Sequence, residues 1–271
     1  MLKKTFHILK DNPVLIGVYL LNMLVMLLIL FVLYPKDMSD FGISENGGID
    51  FITYLNAMGK MLFAILLIFA LSLLVASGFG NMMKEAIRGE KITIATFMMG
   101  IKKFFVRILL SSLLLFAFTI VVSLVLMILV ILIVLLSAFN NPILAVVLGS
   151  VLYIIPLIII MPFVLLWTPS IVIDETGVMT SLKSSFNAGA KNYWRLLLSM
   201  LTIFVPIIVY FIFNYTSTAA GKIFTPGYWV LCVVSAFLGV IINSYLYIIY
   251  HEYKNKLISN SCHPENDTIV Y

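Results

Sequence analysis

The chain has 271 residues, of which 62% are apolar and 11% charged, with a net charge of +5 and a mean hydropathy of +1.13. A soluble domain carries about 25% charged residues, so an ordinary soluble fold is excluded. A large aqueous catalytic domain is excluded too, because the longest stretch without a dense apolar run, Pro35 to Asn56, falls far short of the ~100 residues a typical domain uses.

Lys3 and Lys4 precede the first apolar run, Pro13–Leu33, as they would in a signal peptide. That run is longer than the ~7–15 residues of a signal-peptide core, and no small-x-small cleavage site precedes the polar loop, so it is expected to remain as an anchor. About 20 apolar residues cross a ~30 Å hydrocarbon core, which places further spans at 61–82, 108–137, 143–168, 196–215 and 228–250. Between Arg107 and Asp174 there are 66 residues without one Asp, Glu, Lys or Arg. As a single helix that stretch would be ~99 Å long, so it must fold back. The polar cluster Ser137 to Pro142 marks the turn. The fold class expected is an all-α integral membrane protein, a six-helix transmembrane bundle with short cytoplasmic amphipathic interfacial helices. One membrane domain would occupy 1–250, and a polar tail 251–271.

Fourteen of the 17 basic residues lie in 1–12, 83–107, 169–195 and 251–271, against Lys36, Lys60 and Lys222 elsewhere. The positive-inside rule then puts both termini in the cytoplasm, with the plasma membrane as the location. The first outer loop, 35–56, gathers Asp37, Asp40, Glu45 and Asp50. The basic cytoplasmic face points to phospholipid, since a nucleic-acid reading would need a polar basic domain.

Two segments that precede apolar spans have helical periodicity. In one, Ile94, Phe97, Ile101, Phe104 and Phe105 share a face, with Lys102, Lys103 and Arg107 elsewhere. In the other, Val178, Leu182, Phe186 and Ala190 recur every four residues beside Lys183, Asn187 and Lys191. Each reads as an elbow lying in the membrane interface. Sliding the chain by 88 residues superposes Gly89 on Gly177, Lys103 on Lys191, Phe105 on Tyr193, Arg107 on Arg195 and Ser111 on Ser199. Phe6 and Lys10 begin a weaker third copy, so three hairpins, each opened by an elbow, are expected.

The stretch Phe163 to Met200 carries an apolar span closing on Trp167 and Pro169, then Asp174-Glu175, Gly177, the segment Ser181-Leu182-Lys183-Ser184-Ser185, and an aromatic-basic re-entry at Tyr193-Trp194-Arg195. It resembles the six-span membrane domain found at the N-terminus of some bacterial glycerophosphodiester phosphodiesterases, and their stand-alone relatives of unassigned activity. The resemblance implies the membrane layout and no chemistry. The catalytic barrel that follows that domain in the phosphodiesterases has no counterpart in the ~20 residues after the sixth span.

None of the expected spans holds an Asp, Glu, Lys, Arg or His, the residues that mark proton or ion coupling inside a bilayer. His7, His251 and His263 have no partner at metal-ligand spacing, and no Gly-rich loop with a phosphate-binding lysine occurs. The two cysteines, Cys232 and Cys262, imply no disulfide framework. No catalytic residue, cofactor or metal is therefore expected. Ser72, Ala76 and Gly80 form one small-residue stripe, and Ser235, Gly239 and Asn243 another, suited to close helix packing. Asn22 and Asn243 are expected to hydrogen-bond across the bundle. Pro156 and Pro162 are candidate kinks of the fourth span, with Pro169 at its end, and Pro206 lies in the fifth.

The expectation is a non-enzymatic multi-pass protein engaging anionic phospholipid headgroups through Lys102, Lys103, Arg107, Lys183, Lys191 and Arg195, or organising the membrane. Two alternatives are a permease or accessory subunit of a transporter, gated at the kinked fourth span, and a structural partner of another membrane protein. Its partners would be membrane phospholipids, with another membrane protein or a homo-oligomer as the alternative, and no nucleic acid.

Overall fold

The computed structural model describes residues 1–33, 50–137, 158–202 and 226–262, and among them every regular element is helical. The expected turn beyond Ser137, the acidic residues Asp37, Asp40 and Glu45, Pro156, Pro206, and large parts of the expected spans 143–168 and 196–215 lie outside the described residues.

Helix α1 (Leu2–Asp11) and α2 (Pro13–Leu33) are separated by Asn12. Proline at the first position of α2 is suited to that place, where an N–H would have no intrahelical partner. Helix α3 (Phe51–Arg88) is opened by Asp50, whose Oδ1 accepts the Ile52 N–H at 3.1 Å. It closes on Gly89, at φ 79, with Gly89 N–H bonding the Ala86 carbonyl and Glu90 N–H the Glu85 carbonyl. That paired arrangement requires a left-handed residue, and only glycine adopts one without a Cβ penalty. Helix α4 (Ile94–Ser137) begins with a reciprocal cap, in which Thr96 N–H donates to Thr93 Oγ1 and Thr93 N–H to Thr96 Oγ1, each at 3.3 Å.

After Leu166 interrupts the helical residues 158–165, helix α5 (Trp167–Asp174) follows. Pro169 accounts for the interruption, since its ring excludes the carbonyl four residues before it. Pro162 falls within 158–165. Helix α5 ends on Glu175, at φ 56, and α6 (Val178–Lys191) follows at once. Asn192 separates α6 from helical residues 193–202, and α7 (Pro226–Cys262) completes the described chain.

Among the described residues, four helices are long and apolar enough to cross a membrane: Pro13–Leu33, Phe51–Arg88, Ile94–Leu129 and Val233–Ser259. The first has the expected bounds. The second, third and last run past them, and α4 contains both the elbow 94–107 and the span 108–137 without a break. Nothing near Arg107 stops a helix: no proline, no glycine and no cap residue stands there. The elbow 94–107 is therefore not a separate helix, whereas α6 is. Residues 251–262 of the expected polar tail are likewise helical.

Backbone contacts divide the chain into two units, Met1–Phe105 with Leu198–Tyr245, and Val106–Leu197 with Leu246–Tyr271. In the first, Leu15, Phe79, Met82, Met83 and Phe104 form the buried centre. Tyr19 meets Phe79 edge-on, with ring centres 4.9 Å apart. In the second, Ile108, Trp167, Ile171, Ala188, Leu196 and Ile249 are buried. Large apolar side chains stay exposed along α2, α3 and α4, among them Leu28, Leu62 and Phe116. Such faces suit a hydrocarbon surrounding better than water.

Candidate functional site

The junction of α3 and α4 and that of α5 and α6 share a plan. Each first helix ends on a left-handed residue, Gly89 or Glu175. About two turns earlier a side chain donates to a backbone carbonyl of the following helix: Asn81 Nδ2 to Thr96 O at 2.9 Å, and Trp167 Nε1 to Val178 O at 3.2 Å. The left-handed residue of the second junction precedes Gly177, which the shift of 88 aligns with Gly89 and which has an extended backbone at φ −68, ψ 162.

The first junction is packed through small residues. A Cβ on Gly78 would stand 2.3 Å from the Phe97 ring, and one on Gly100 would stand 2.7 Å from the Ser77 carbonyl oxygen. The close approach of α3 and α4 is thus at Ser77, Gly78 and Gly100. Of the expected stripe, Ser72 donates to its own helix at Ile68 O, and Ala76 is half-buried beside the buried Gly80. Ser77, Asn81 and Lys84 form a buried polar stripe on α3 that the sequence reading passed over. Lys84 is 4% exposed, and its ammonium lies 6.0 Å from the centre of the Phe104 ring, which Lys103 approaches to 5.5 Å. In the other stripe Gly239 is in van der Waals range of Tyr19, Asn243 donates to Gly239 O at 2.9 Å, and Ser235 is exposed. Asn22 donates to Met26 Sδ within its own helix.

In the second junction the buried face of α6 is Ser181, Ser185, Ala188 and Gly189. Ser170 Oγ donates to Ser181 O at 2.9 Å, and Ser185 Oγ bonds the Phe163 carbonyl. A Cβ on Gly189 would lie 3.1 Å from Phe163 Cα. The larger residues Leu182 and Phe186 lie beside that face and are more open, with the Phe186 ring stacked on that of Phe163 at 5.1 Å.

Asp174, at the end of α5, is the hub of a polar cluster. Its Oδ2 accepts the Tyr250 hydroxyl at 2.5 Å, lies 3.0 Å from Lys254 Nζ, and accepts Ser184 Oγ at 3.3 Å. Ser184 and Tyr250 also meet directly at 2.5 Å. One carboxylate thereby ties α5, α6 and the C-terminal part of α7 together, neutralised by Lys254 and not by a lysine of α6. Arg107 Nη1 donates to Glu175 O at 2.7 Å, capping the C-terminal end of α5, where the helix dipole favours a cation.

Of the six cations expected to act together, Arg107, Lys183, Lys191 and Arg195 belong to the second unit, and Lys102 and Lys103 to the first. Lys102, Lys103, Lys183, Lys191 and Arg195 are exposed and Arg107 is half-buried. Lys191 lies over the Tyr253 ring at 5.6 Å. The Asp174 cluster and buried Lys84 were not anticipated. The spacing of Ser77, Asn81 and Lys84 on one helical face was a signal that could have revealed the latter. Among the described residues no group of three or more His, Cys, Asp or Glu could hold a metal ion.

The family model of a domain of unknown function, DUF7847, matches residues 1–251, and the chain belongs to that family. No curated protein and no solved structure matches it.

Proposed function

We propose that this DUF7847 protein is a six-span, non-enzymatic protein of the plasma membrane, termini cytoplasmic, that holds anionic phospholipid headgroups at its two elbows. The observation that carries the reading is the charge of the elbows. Residues 94–107 hold Lys102, Lys103 and Arg107, and residues 176–195 hold Lys183, Lys191 and Arg195, with no acidic residue in either segment. Asp174 and Glu175 stand directly before residues 176–195, and Asp174 pairs with Lys254 of α7. Each basic residue near an anionic leaflet contributes about 1 kcal/mol of attraction. Helices that leave apolar faces exposed directly after the cations supply the matching hydrocarbon contact.

The role proposed is to gather or organise lipid, with no bond made or broken. With Cys232 and Cys262 replaced by Ser, single cysteines placed at residues 8, 45, 140, 187, 220 and 265 and labelled from either side of the membrane test the topology. The six-span layout requires 8, 187 and 265 on the inner side and 45, 140 and 220 on the outer. Lipid analysis of protein extracted from mixed phosphatidylglycerol and phosphatidylcholine membranes tests the headgroup assignment. Enrichment of the anionic lipid supports it, and retention in the bulk ratio overturns it.

A further inference from the structure

The second unit contains a cavity of about 380 Å³ walled by α4, the helical residues 158–165, Trp167 of α5 and α6. Its wall includes Leu114, Phe118, Val121, Val164, Trp167 and Phe186, and every lining residue is apolar. The one polar atom of the Trp167 ring, Nε1, is bonded to the Val178 carbonyl. Water needs two to four polar partners to occupy a cavity, and an apolar cavity of ~150 Å³ stays dry yet takes benzene. The occupant this cavity fits is hydrocarbon.

Its position narrows the choice. Along α4 the lining runs from Leu114 to Val121, roughly 10 Å of helix, beginning about two turns after Arg107. On α6 the lining residues Leu182 and Phe186 bracket Lys183, which is exposed. One cation therefore precedes the lining residues of α4 and another lies between the lining residues of α6, so that charge adjoins an apolar slot as it adjoins hydrocarbon in an anionic phospholipid. We infer that this cavity seats one acyl chain of a bilayer phospholipid. The inference deepens the headgroup reading above and rests on its membrane placement.

Trp167 supplies the probe, because its side chain is only 2% exposed and the cavity is the route by which a lipid chain reaches it. The full chain, with Trp194 and Trp229 changed to Phe, is reconstituted in nanodiscs containing phosphatidylcholine and a small fraction of phosphatidylglycerol brominated on its acyl chains. Loss of Trp167 emission that saturates well below the bulk lipid fraction, and that Ala117→Phe or Leu114→Phe removes by filling the slot, supports the inference. Quenching in the parent chain is read without any cavity variant, so a filling variant that fails to fold leaves the test intact. If brominated phosphatidylcholine quenches as well as brominated phosphatidylglycerol, the chain is seated and the anionic headgroup assignment falls. Absence of quenching by either lipid, with anionic lipid still enriched on the extracted protein, overturns the acyl-chain assignment alone and gives the slot to a protein segment. Quenching that only tracks bulk composition and ignores both filling variants overturns it as well.

Discussion

Gly100→Ala tests the packing of the α3–α4 junction. The new methyl would lie 2.6 Å from Asn81 Cβ, 2.7 Å from the Ser77 carbonyl oxygen and 3.1 Å from Gly78 Cα. Two of these atoms belong to backbone, so rotating a side chain does not relieve the clash. Overpacking of this kind costs about 1–3 kcal/mol. Moving Asn81 also breaks its bond to Thr96 O in a buried setting, which costs a further ~1–3 kcal/mol. The control is Gly59→Ala in α3, where nothing lies within 4 Å and alanine stabilises a helix by roughly 0.5–1 kcal/mol. Because both variants share the propensity gain, their stabilities should differ by about 2–6 kcal/mol, with Gly100→Ala the weaker. Reversible unfolding by SDS in mixed micelles, followed by circular dichroism, measures the difference. Equal midpoints and slopes for the two variants would refute the close approach of α3 and α4.

Three further outcomes follow from the hydrogen bonds. Tyr250→Phe removes a donor to an ionised carboxylate, so it should lower stability by about 1.5–3 kcal/mol in the same unfolding assay; a change under ~0.5 kcal/mol, typical of uninvolved surface sites, would contradict the cluster. Asp174→Asn should abolish most of the penalty of Lys254→Met when the two are combined, because the uncompensated charge is gone; additive losses would argue against the ion pair. The Asp50 carboxyl is held below its ordinary 3.8 by the Thr53 hydroxyl first and then by the Ile52 N–H. Its cap on α3 is therefore fully present above that ordinary value and lost as pH falls through the lower folded one, so amide protection at Ile52 should fall in that acid range. Asp50→Asn should show no such step.

Helix positions were legible where one physical signal acted alone. The start of α2 coincides with that expected, since Asn12-Pro13 marks it. The ends of α3 and α4 were not, because hydropathy reports where apolar side chains stop, whereas a helix stops where its backbone is capped, as at Asp50, Gly89 and Thr93. The small-residue stripes illustrate a second limit. Ser72, Ala76 and Gly80 satisfy the spacing, yet the tight contact uses Ser77, Gly78 and Gly100, one face further round. Spacing selects a face of one helix and is silent about where the neighbour lies. Of the six elbow cations, five are exposed and Arg107 is half-buried. The Asp174 cluster joins residues 174, 184, 250 and 254 through tertiary contacts that no local periodicity encodes.

The headgroup claim is tested most directly by native mass spectrometry of the protein released from nanodiscs of mixed anionic and zwitterionic lipid, beside a variant with Lys102, Lys103, Lys191 and Arg195 changed to Gln. At about 1 kcal/mol for each basic residue, every charge removed should weaken anionic-lipid retention roughly fivefold. The account predicts a defined anionic lipid on the parent chain and its loss from a variant that keeps its helical circular dichroism. Equal retention by both, or a parent chain that carries no selective lipid, would contradict it.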